Sequence, residues 1–164
     1  MCHTADSRTV LTTLLKPDLV EQGLAMAAEL DYRQFLPYME PEPGMAEGLR
    51  RLRASWPLAV ATNRGSSMGA ILEHFQLADC FCAVVTSRDV ERPKPAPDML
   101  VKAAERLGLH PQELVFVGDS ELDRRAAEAA GTRFVAYGNH VSARWRVASH
   151  AQLGVLLERF RSAS

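Results

Sequence analysis

From residue 44 onward, short apolar runs alternate with amphipathic stretches of about ten residues, and this alternation constrains the fold more than any other feature. The apolar runs predict strands at 58–62, 83–86, 114–118 and 133–137. The amphipathic stretches predict helices at 44–54, 66–75, 97–107, 121–130 and 151–160. Strands separated by helices of this length form parallel sheets with right-handed crossovers. The sequence therefore predicts an α/β fold, a three-layer Rossmann-like parallel sheet.

The N-terminal part differs in its pattern of apolar residues. Residues 18–38 show the apolar spacing of helices, and the proline-rich segment 37–44 predicts a linker. We therefore expect a helical segment with its linker at 1–40 and the α/β core at 41–164. Residues 8–15 (RTVLTTLL) are rich in β-branched side chains, so a strand remains an alternative there, although a helix is the preferred interpretation.

Composition excludes several classes of function. The 164 residues are 47% hydrophobic and carry a formal net charge of −1, which gives no electrostatic case for binding nucleic acid or an anionic membrane. No apolar run approaches membrane-spanning length, and the first residues lack the pattern of a secretory signal. The three cysteines suggest neither a disulfide framework nor a zinc site. We expect a soluble, cytoplasmic protein.

Two carboxylates follow the predicted strand 114–118. Asp119 lies at its carboxyl tip, where open α/β sheets bind ligands, and Asp123 lies on the first turn of the next helix. This spacing lets both reach one point above the strand ends, as ligands of Mg²⁺ do. The alternative is helix capping, since acidic residues are favoured in a first helical turn.

A hydroxyl ends the predicted strand 58–62. Thr62 is followed by Asn63 and Arg64 and then by a helix, so its hydroxyl and the following backbone N–H groups are suited to an anion. A loop with an ordinary serine N-cap explains the same residues.

Lys94 lies between two prolines in the segment RPKPAPD. Only three of the 19 basic residues are lysines, so a lysine with a constrained backbone suggests a compact charge that neutralises a phosphate. A solvated lysine in a proline-rich loop is the alternative.

Together these segments resemble the haloacid-dehalogenase-like hydrolase superfamily. Its second motif, a strand ending in Thr or Ser, is matched by Thr62. Its third, a lysine in a K-P-x-P-like segment, is matched by Lys94. Its fourth, GDxxxD at a strand end, is matched by Gly118, Asp119 and Asp123. The helical start and the segment FLPYMEPEPGMAEGLRRLR are similar to a partial helical cap re-entering the core, as in the phosphoglycolate-phosphatase-like branch.

The resemblance implies a Mg²⁺-dependent phosphomonoesterase of small phosphorylated metabolites. It implies that Thr62, Asn63, Arg64 and Lys94 bind the phosphate, with Thr62 and Lys94 in catalysis, and that Asp119 and Asp123 hold the metal.

The family's first motif, D-x-D, is absent. None of the eight aspartates lies in such a motif, although Asp6 is nearest its expected place. We therefore expect the nucleophile and the first, central core strand to be missing, as in a phosphatase truncated at its N-terminus. We also expect weak or absent Mg²⁺ binding and no activity of the chain alone, so the sequence leaves open whether the chain is an enzyme. The flanking strands then pair directly, another segment fills the gap, or a second chain does, which would make a homo-oligomer.

Two other interpretations fit parts of the same sequence. A non-catalytic phosphate/Mg²⁺-binding or protein-interaction domain keeps the pocket without turnover. A response-regulator-like receiver domain is disfavoured because its acidic residues come early in the chain. Arg144, Trp145 and Arg146 are expected in a surface loop rather than a nucleic-acid site.

Overall fold

The computed structural model describes residues 7–29 and 32–162, and within them it confirms the α/β class. The α-helices are α1 Ser7–Leu14, α2 Val20–Glu29, α3 Met45–Arg53, α4 Ser67–His74, α5 Asp98–Leu107, α6 Glu121–Ala130 and α7 His150–Ser162. The strands are β1 Ala59–Thr62, β2 Ala83–Thr86, β3 Val115–Gly118, β4 Arg133–Tyr137 and β5 Trp145–Val147. Predicted and observed bounds of the core elements agree to within one or two residues.

The strands form two separate parallel sheets instead of one. β1 pairs with β2, and β3, β4 and β5 pair in that order. The register places Ala59 opposite Ala83 and Val115 opposite Arg133. Among the residues that the structure describes, no backbone hydrogen bond joins β1 to β3. Direct pairing of these two strands, one of the three alternatives, is therefore not what the chain adopts.

Helices cover both faces of the two sheets. On one face α5 and α6 pack through Leu100 and Ala126, and on the other α3, α4 and α7 pack through Leu52, Leu72 and Leu153. All five of these side chains are buried. The carboxyl ends of the strands are left open to solvent, as in other layered α/β proteins.

The segment around Trp145 differs from the predicted surface loop. Residues 145–147 form the edge strand β5, which pairs in parallel with β4, rather than a surface loop. Arg144 and Arg133 lie over the Trp145 ring, with the guanidinium carbons 4.6 and 5.6 Å from its centroid. A three-residue strand of this composition has no alternating pattern, so pairing with β4 decides its structure.

Helices α3 and α7 touch without clearance. A Cβ atom placed on Gly48 of α3 would lie only 2.4 Å from Cβ of His150, the first residue of α7. Only glycine fits at this position, because real Cβ contacts are never so short.

The N-terminal part is helical, and α1 confirms the helix preferred over a strand for residues 8–15. The predicted helical stretch 18–38 is broken: 3-10 helices at Pro17–Leu19 and Tyr32–Tyr38 lie on either side of α2. Asp6 lies outside the described residues. None of the described helices is long and apolar enough to cross a membrane.

Candidate functional site

The ammonium of Lys94 lies at the carboxyl end of β1. Its Nζ donates to the backbone oxygen of Ala61 over 2.9 Å and to Oδ1 of Asp123 over 2.6 Å. The Phe116 ring lies beneath it, with the centroid 5.3 Å from Nζ. The Lys94 side chain is 11% exposed and that of Asp123 is 8% exposed. Lys94 is therefore a largely buried charge with a buried partner, and not a solvated loop lysine.

The side chain of Asn63 positions the Lys94 backbone. Oδ1 of Asn63 accepts the Lys94 N–H over 3.0 Å, and Nδ2 of Asn63 donates to the Lys94 carbonyl over 3.0 Å. This reciprocal pair fixes the loop after β1 to the loop that carries Lys94, 31 residues further along the chain. The lysine is thus held by its backbone and by its side chain.

Asp123 has both carboxylate oxygens engaged. Oδ1 accepts from Lys94, while Oδ2 accepts from the Ser120 hydroxyl over 2.6 Å and from the Ser120 N–H over 3.2 Å. Ser120 Oγ in turn accepts the Asp123 N–H, which completes a capping box at the start of α6. The capping interpretation of Asp123 is thus confirmed, and its predicted role as a Mg²⁺ ligand stays a prediction.

Gly118 makes room for Asp123. A Cβ atom at residue 118 would lie 2.6 to 2.8 Å from Cβ, Cγ and Oδ2 of Asp123. The glycine of the GDxxxD segment is therefore required by close approach of the carboxylate to the end of β3.

Asp119 differs from Asp123. Its side chain is exposed, and it makes no hydrogen bond or ion pair with any described residue. Within the ranges 7–29 and 32–162, no three His, Cys, Asp or Glu side chains cluster so as to hold a metal ion. Among the described residues at the strand ends, Asp119 is the one carboxylate without a partner, because both oxygens of Asp123 are engaged by Lys94 and Ser120. These residues alone do not make a complete Mg²⁺ site.

Thr62 lies next to Ala61, the residue that Lys94 contacts. Its Oγ1 accepts the N–H of Arg64 over 3.2 Å. The Arg64 N–H, predicted to bind phosphoryl oxygens, is directed at the hydroxyl in this conformation. The O–H hydrogen of Thr62 stays available for another acceptor.

A cavity of about 1110 Å³ separates β1 from β3. Residues 58–61 of the first strand and 114–118 of the second line opposite sides of it, and Arg64 and Asp119 line it at the carboxyl ends. The space lies where a strand shared by the two sheets would lie.

Four predicted residues thus come to one edge of the sheets. Lys94 and Asp123 are in direct contact, Thr62 follows the carbonyl that Lys94 binds, and Asp119 follows Gly118 at the end of β3. The roles of these residues in phosphate or metal binding stay predictions. The Asn63 side chain is the positioning group that the sequence did not reveal, because its partner is distant in the chain.

Comparison with known proteins identifies the family. The model of the family "Haloacid dehalogenase-like hydrolase" matches residues 6–137, well over half of the chain. The chain belongs to this family. The resemblance drawn from Thr62, Lys94 and the GDxxxD segment is therefore confirmed at the level of the family.

Two similar proteins indicate the branch of the family to which the chain is similar. Phosphoglycolate phosphatase of Escherichia coli (strain K12) is 43% identical over 91 residues, which are 54% of this chain and 36% of that protein. The match thus spans about a third of the length of such curated relatives. A solved HAD-superfamily hydrolase, subfamily IA, variant 1, from Geobacter sulfurreducens is 42% identical with a TM-score of 0.78, covering 83% of this chain and 70% of that one. The chain is therefore similar to the phosphoglycolate-phosphatase-like branch, as predicted.

A third similar protein was solved with a ligand. CbbY from Rhodobacter sphaeroides, in complex with phosphate, is 25% identical with a TM-score of 0.68, covering 85% of this chain and 68% of that one.

Proposed function

We propose that the chain binds the phosphate group of small phosphorylated metabolites at the carboxyl ends of β1 and β3, and that alone it does not hydrolyse them. The observation that carries this proposal is the buried ammonium of Lys94, held at the end of β1 with one N–H still to donate. The proposal also includes weak or absent Mg²⁺ binding and a cytoplasmic location.

Lys94 is suited to a phosphate oxygen. An ammonium has three N–H donors, and two of them are used by Ala61 and Asp123. The third has no acceptor among the described residues. A positive charge that is positioned in advance stabilises the charge of a phosphoryl group without further reorganisation.

Thr62 supplies a second donor beside it. Because its oxygen accepts the Arg64 N–H, its own hydrogen is free to point at an anion above the strand end. Lys94 and Thr62 together would hold two oxygens of one phosphate group. The relatives named phosphoglycolate phosphatase and the phosphate complex of CbbY support this choice of ligand.

Hydrolysis requires a further group. In the family, the first aspartate of D-x-D attacks phosphorus and forms an aspartyl-phosphate, and this sequence contains no D-x-D. Asp123 is unsuited to the task because both its oxygens are engaged by Lys94 and Ser120. Phosphate binding without turnover, the non-catalytic alternative, is therefore the behaviour we propose for the chain alone.

Binding is tested by calorimetric titration of the purified chain with inorganic phosphate. Lys94→Met should weaken binding by roughly tenfold or more, because it removes a charge-assisted hydrogen bond. Lys102→Met is the matched control, since Lys102 is a partly exposed lysine of α5 paired with Glu105. Equal loss of affinity in both variants, or no phosphate binding by the unmodified chain, would contradict the proposal.

Turnover is tested with p-nitrophenyl phosphate in the presence of Mg²⁺. We expect no appreciable hydrolysis by the chain and none by Asp119→Ala. Robust activity that Asp119→Ala abolishes would show that another carboxylate, such as Asp6, acts as the nucleophile.

A further inference from the structure

The adjacent strands β1 and β2 end in the same kind of turn. Thr62 and Thr86 are register partners at their carboxyl ends. Oγ1 of Thr62 accepts the N–H of Arg64 over 3.2 Å. In the same way, Oγ1 of Thr86 accepts the N–H of Arg88 over 3.3 Å. Such bonds from a hydroxyl to the backbone stabilise a turn. The repeated turn therefore places two arginines at equivalent positions on strands that lie about 4.8 Å apart.

The two loops that carry these arginines are in contact. The Ser87 N–H donates to the Arg64 carbonyl over 3.2 Å. The Arg88 side chain packs against Gly65, with its Nε 3.8 Å and its Cδ 3.9 Å from the position that a Cβ of Gly65 would occupy. The Arg88 side chain thus reaches from the end of β2 to the loop that also carries Arg64.

Neither arginine side chain is neutralised. In the part of the chain that the structure describes, neither guanidinium makes a hydrogen bond or an ion pair. Asp89, the next residue after Arg88, is engaged by the Thr86 hydroxyl and by Arg106, each over 2.6 Å. Asp98 pairs with Arg92 over 2.8 Å. The carboxylates of this region are thus bound to other groups, and two positive charges are left uncompensated.

These charges adjoin the proposed phosphate site. Arg64 follows Asn63, whose side chain holds the Lys94 backbone through two hydrogen bonds. The two strand ends differ as donors, because the Thr86 hydroxyl donates to Asp89, whereas that of Thr62 has no acceptor among the described residues. A phosphate group at Lys94 and Thr62 therefore leaves both guanidiniums available for a second anion a few bonds away.

We propose that Arg88 is a specificity-determining residue that, together with Arg64, binds a second anionic group of the ligand. The inference rests on the proposed function, because the phosphate bound at Lys94 positions that group. A guanidinium presents five N–H donors in a planar fork and bonds the oxygens of a carboxylate or phosphate in pairs. The site therefore selects phosphate monoesters that carry a second acid over those with an uncharged chain of the same length.

Calorimetric titration with a matched pair of ligands tests this selection. The ligands are propyl phosphate and its analogue with a carboxylate in place of the terminal methyl group. The carboxylate analogue should bind roughly tenfold more tightly, because it gains charge-assisted hydrogen bonds. Equal affinity for the two ligands would overturn this inference and leave the proposed phosphate site intact. Absence of binding by both would contradict the proposed function and this inference with it.

Variants assign the preference to Arg88. Arg88→Gln should reduce the preference for the carboxylate analogue by roughly threefold or more and leave the affinity for propyl phosphate unchanged. Arg92→Gln is the matched control, since it removes the same charge from an exposed arginine nearby that is paired with Asp98. It should leave the preference unchanged. An unchanged preference in Arg88→Gln, or an equal loss in both variants, would overturn the proposal.

The NMR signal of the Arg88 Nε–H group gives a second readout, at the residue itself. It should shift when the carboxylate analogue is added, because the guanidinium then bonds an anion, and it should stay in place with propyl phosphate. A preference for the carboxylate analogue without any shift of this signal would place the second anion elsewhere and overturn the role of Arg88.

Discussion

Lys94 and Asp123 form an ion pair of 2.6 Å between two side chains that are about nine-tenths buried. The pair joins segments 29 residues apart and connects the end of β1 with the start of α6. Because Lys94 also donates to the Ala61 carbonyl, the pair links the two sheets at the carboxyl end of the gap. We therefore expect its removal to affect the relation of the two sheets as well as local stability.

A double-mutant cycle tests the pair. Asp123→Asn and Lys94→Met should each lower the free energy of unfolding by about 3 kcal/mol, because each leaves an uncompensated buried charge or its unpaired partner. The double variant should cost less than the sum of the two. Urea unfolding measures all three. Glu105→Gln, in the exposed pair with Lys102, should change stability by less than about 0.5 kcal/mol, and strict additivity in the cycle would show that the pair is not coupled.

Gly118→Ala should destabilise the chain by about 1–3 kcal/mol. The new Cβ would lie within 2.8 Å of the Asp123 side chain, which cannot move without losing Lys94 or Ser120. Gly69→Ala is the control, since Gly69 lies in α4 with nothing within 4 Å of its missing Cβ. That variant should gain about 0.5–1 kcal/mol from helix propensity. Similar thermal shifts in the same direction would refute the steric argument.

Asp89 should make stability depend on pH in the acid range. Hydrogen bonds from Thr86, together with Arg106, lower the pKa of Asp89 from 3.8 to about 2. A lowered pKa in the folded chain means that the charged form stabilises it above about pH 4, and this contribution is lost as the pH falls through 2.

Asp89→Asn should therefore cost about 1 kcal/mol at pH 7, after allowance for solvent screening, and the difference from the unmodified chain should shrink between pH 4 and pH 2. Unfolding curves at several pH values measure this. A constant effect of Asp89→Asn down to pH 2 would exclude titration of Asp89 as its source.

Mg²⁺ should bind weakly, with a dissociation constant on the order of millimolar. In the described part of the chain, Asp119 is the one free carboxylate at the strand ends, and Mg²⁺ keeps most of its waters when few protein ligands are offered. Isothermal titration should lose the remaining signal in Asp119→Asn. Micromolar affinity that survives this substitution would place the metal elsewhere.

Local sequence patterns were sufficient to predict most helices and strands of the core. The bounds of β2, α6 and β4 follow from short apolar runs and from the glycines that end helices, because these signals act within a few residues. β5 was missed because its strand character comes from pairing with β4, which the sequence around Trp145 does not encode.

In the candidate site, too, the residues were predictable from local sequence, whereas their contacts were not. Asp119 and Asp123 were predicted from their positions after a strand, and Lys94 from its two flanking prolines in a chain with three lysines. The bonds between Asn63 and Lys94, and between Lys94 and Asp123, link residues about 30 positions apart, so they depend on how the loops meet in space. The gap between β1 and β3 likewise depends on the helices that hold the two sheets from both faces.

The contact between Gly48 and His150 fixes how closely α3 and α7 approach each other. With no clearance between them, α3 and α7 cannot move closer together at this point without a clash. Leu52 of α3 and Leu153 of α7 line the space between the sheets. A larger residue at position 48 would therefore push α3 and α7 apart and shift Leu52 and Leu153, which line the space between the sheets.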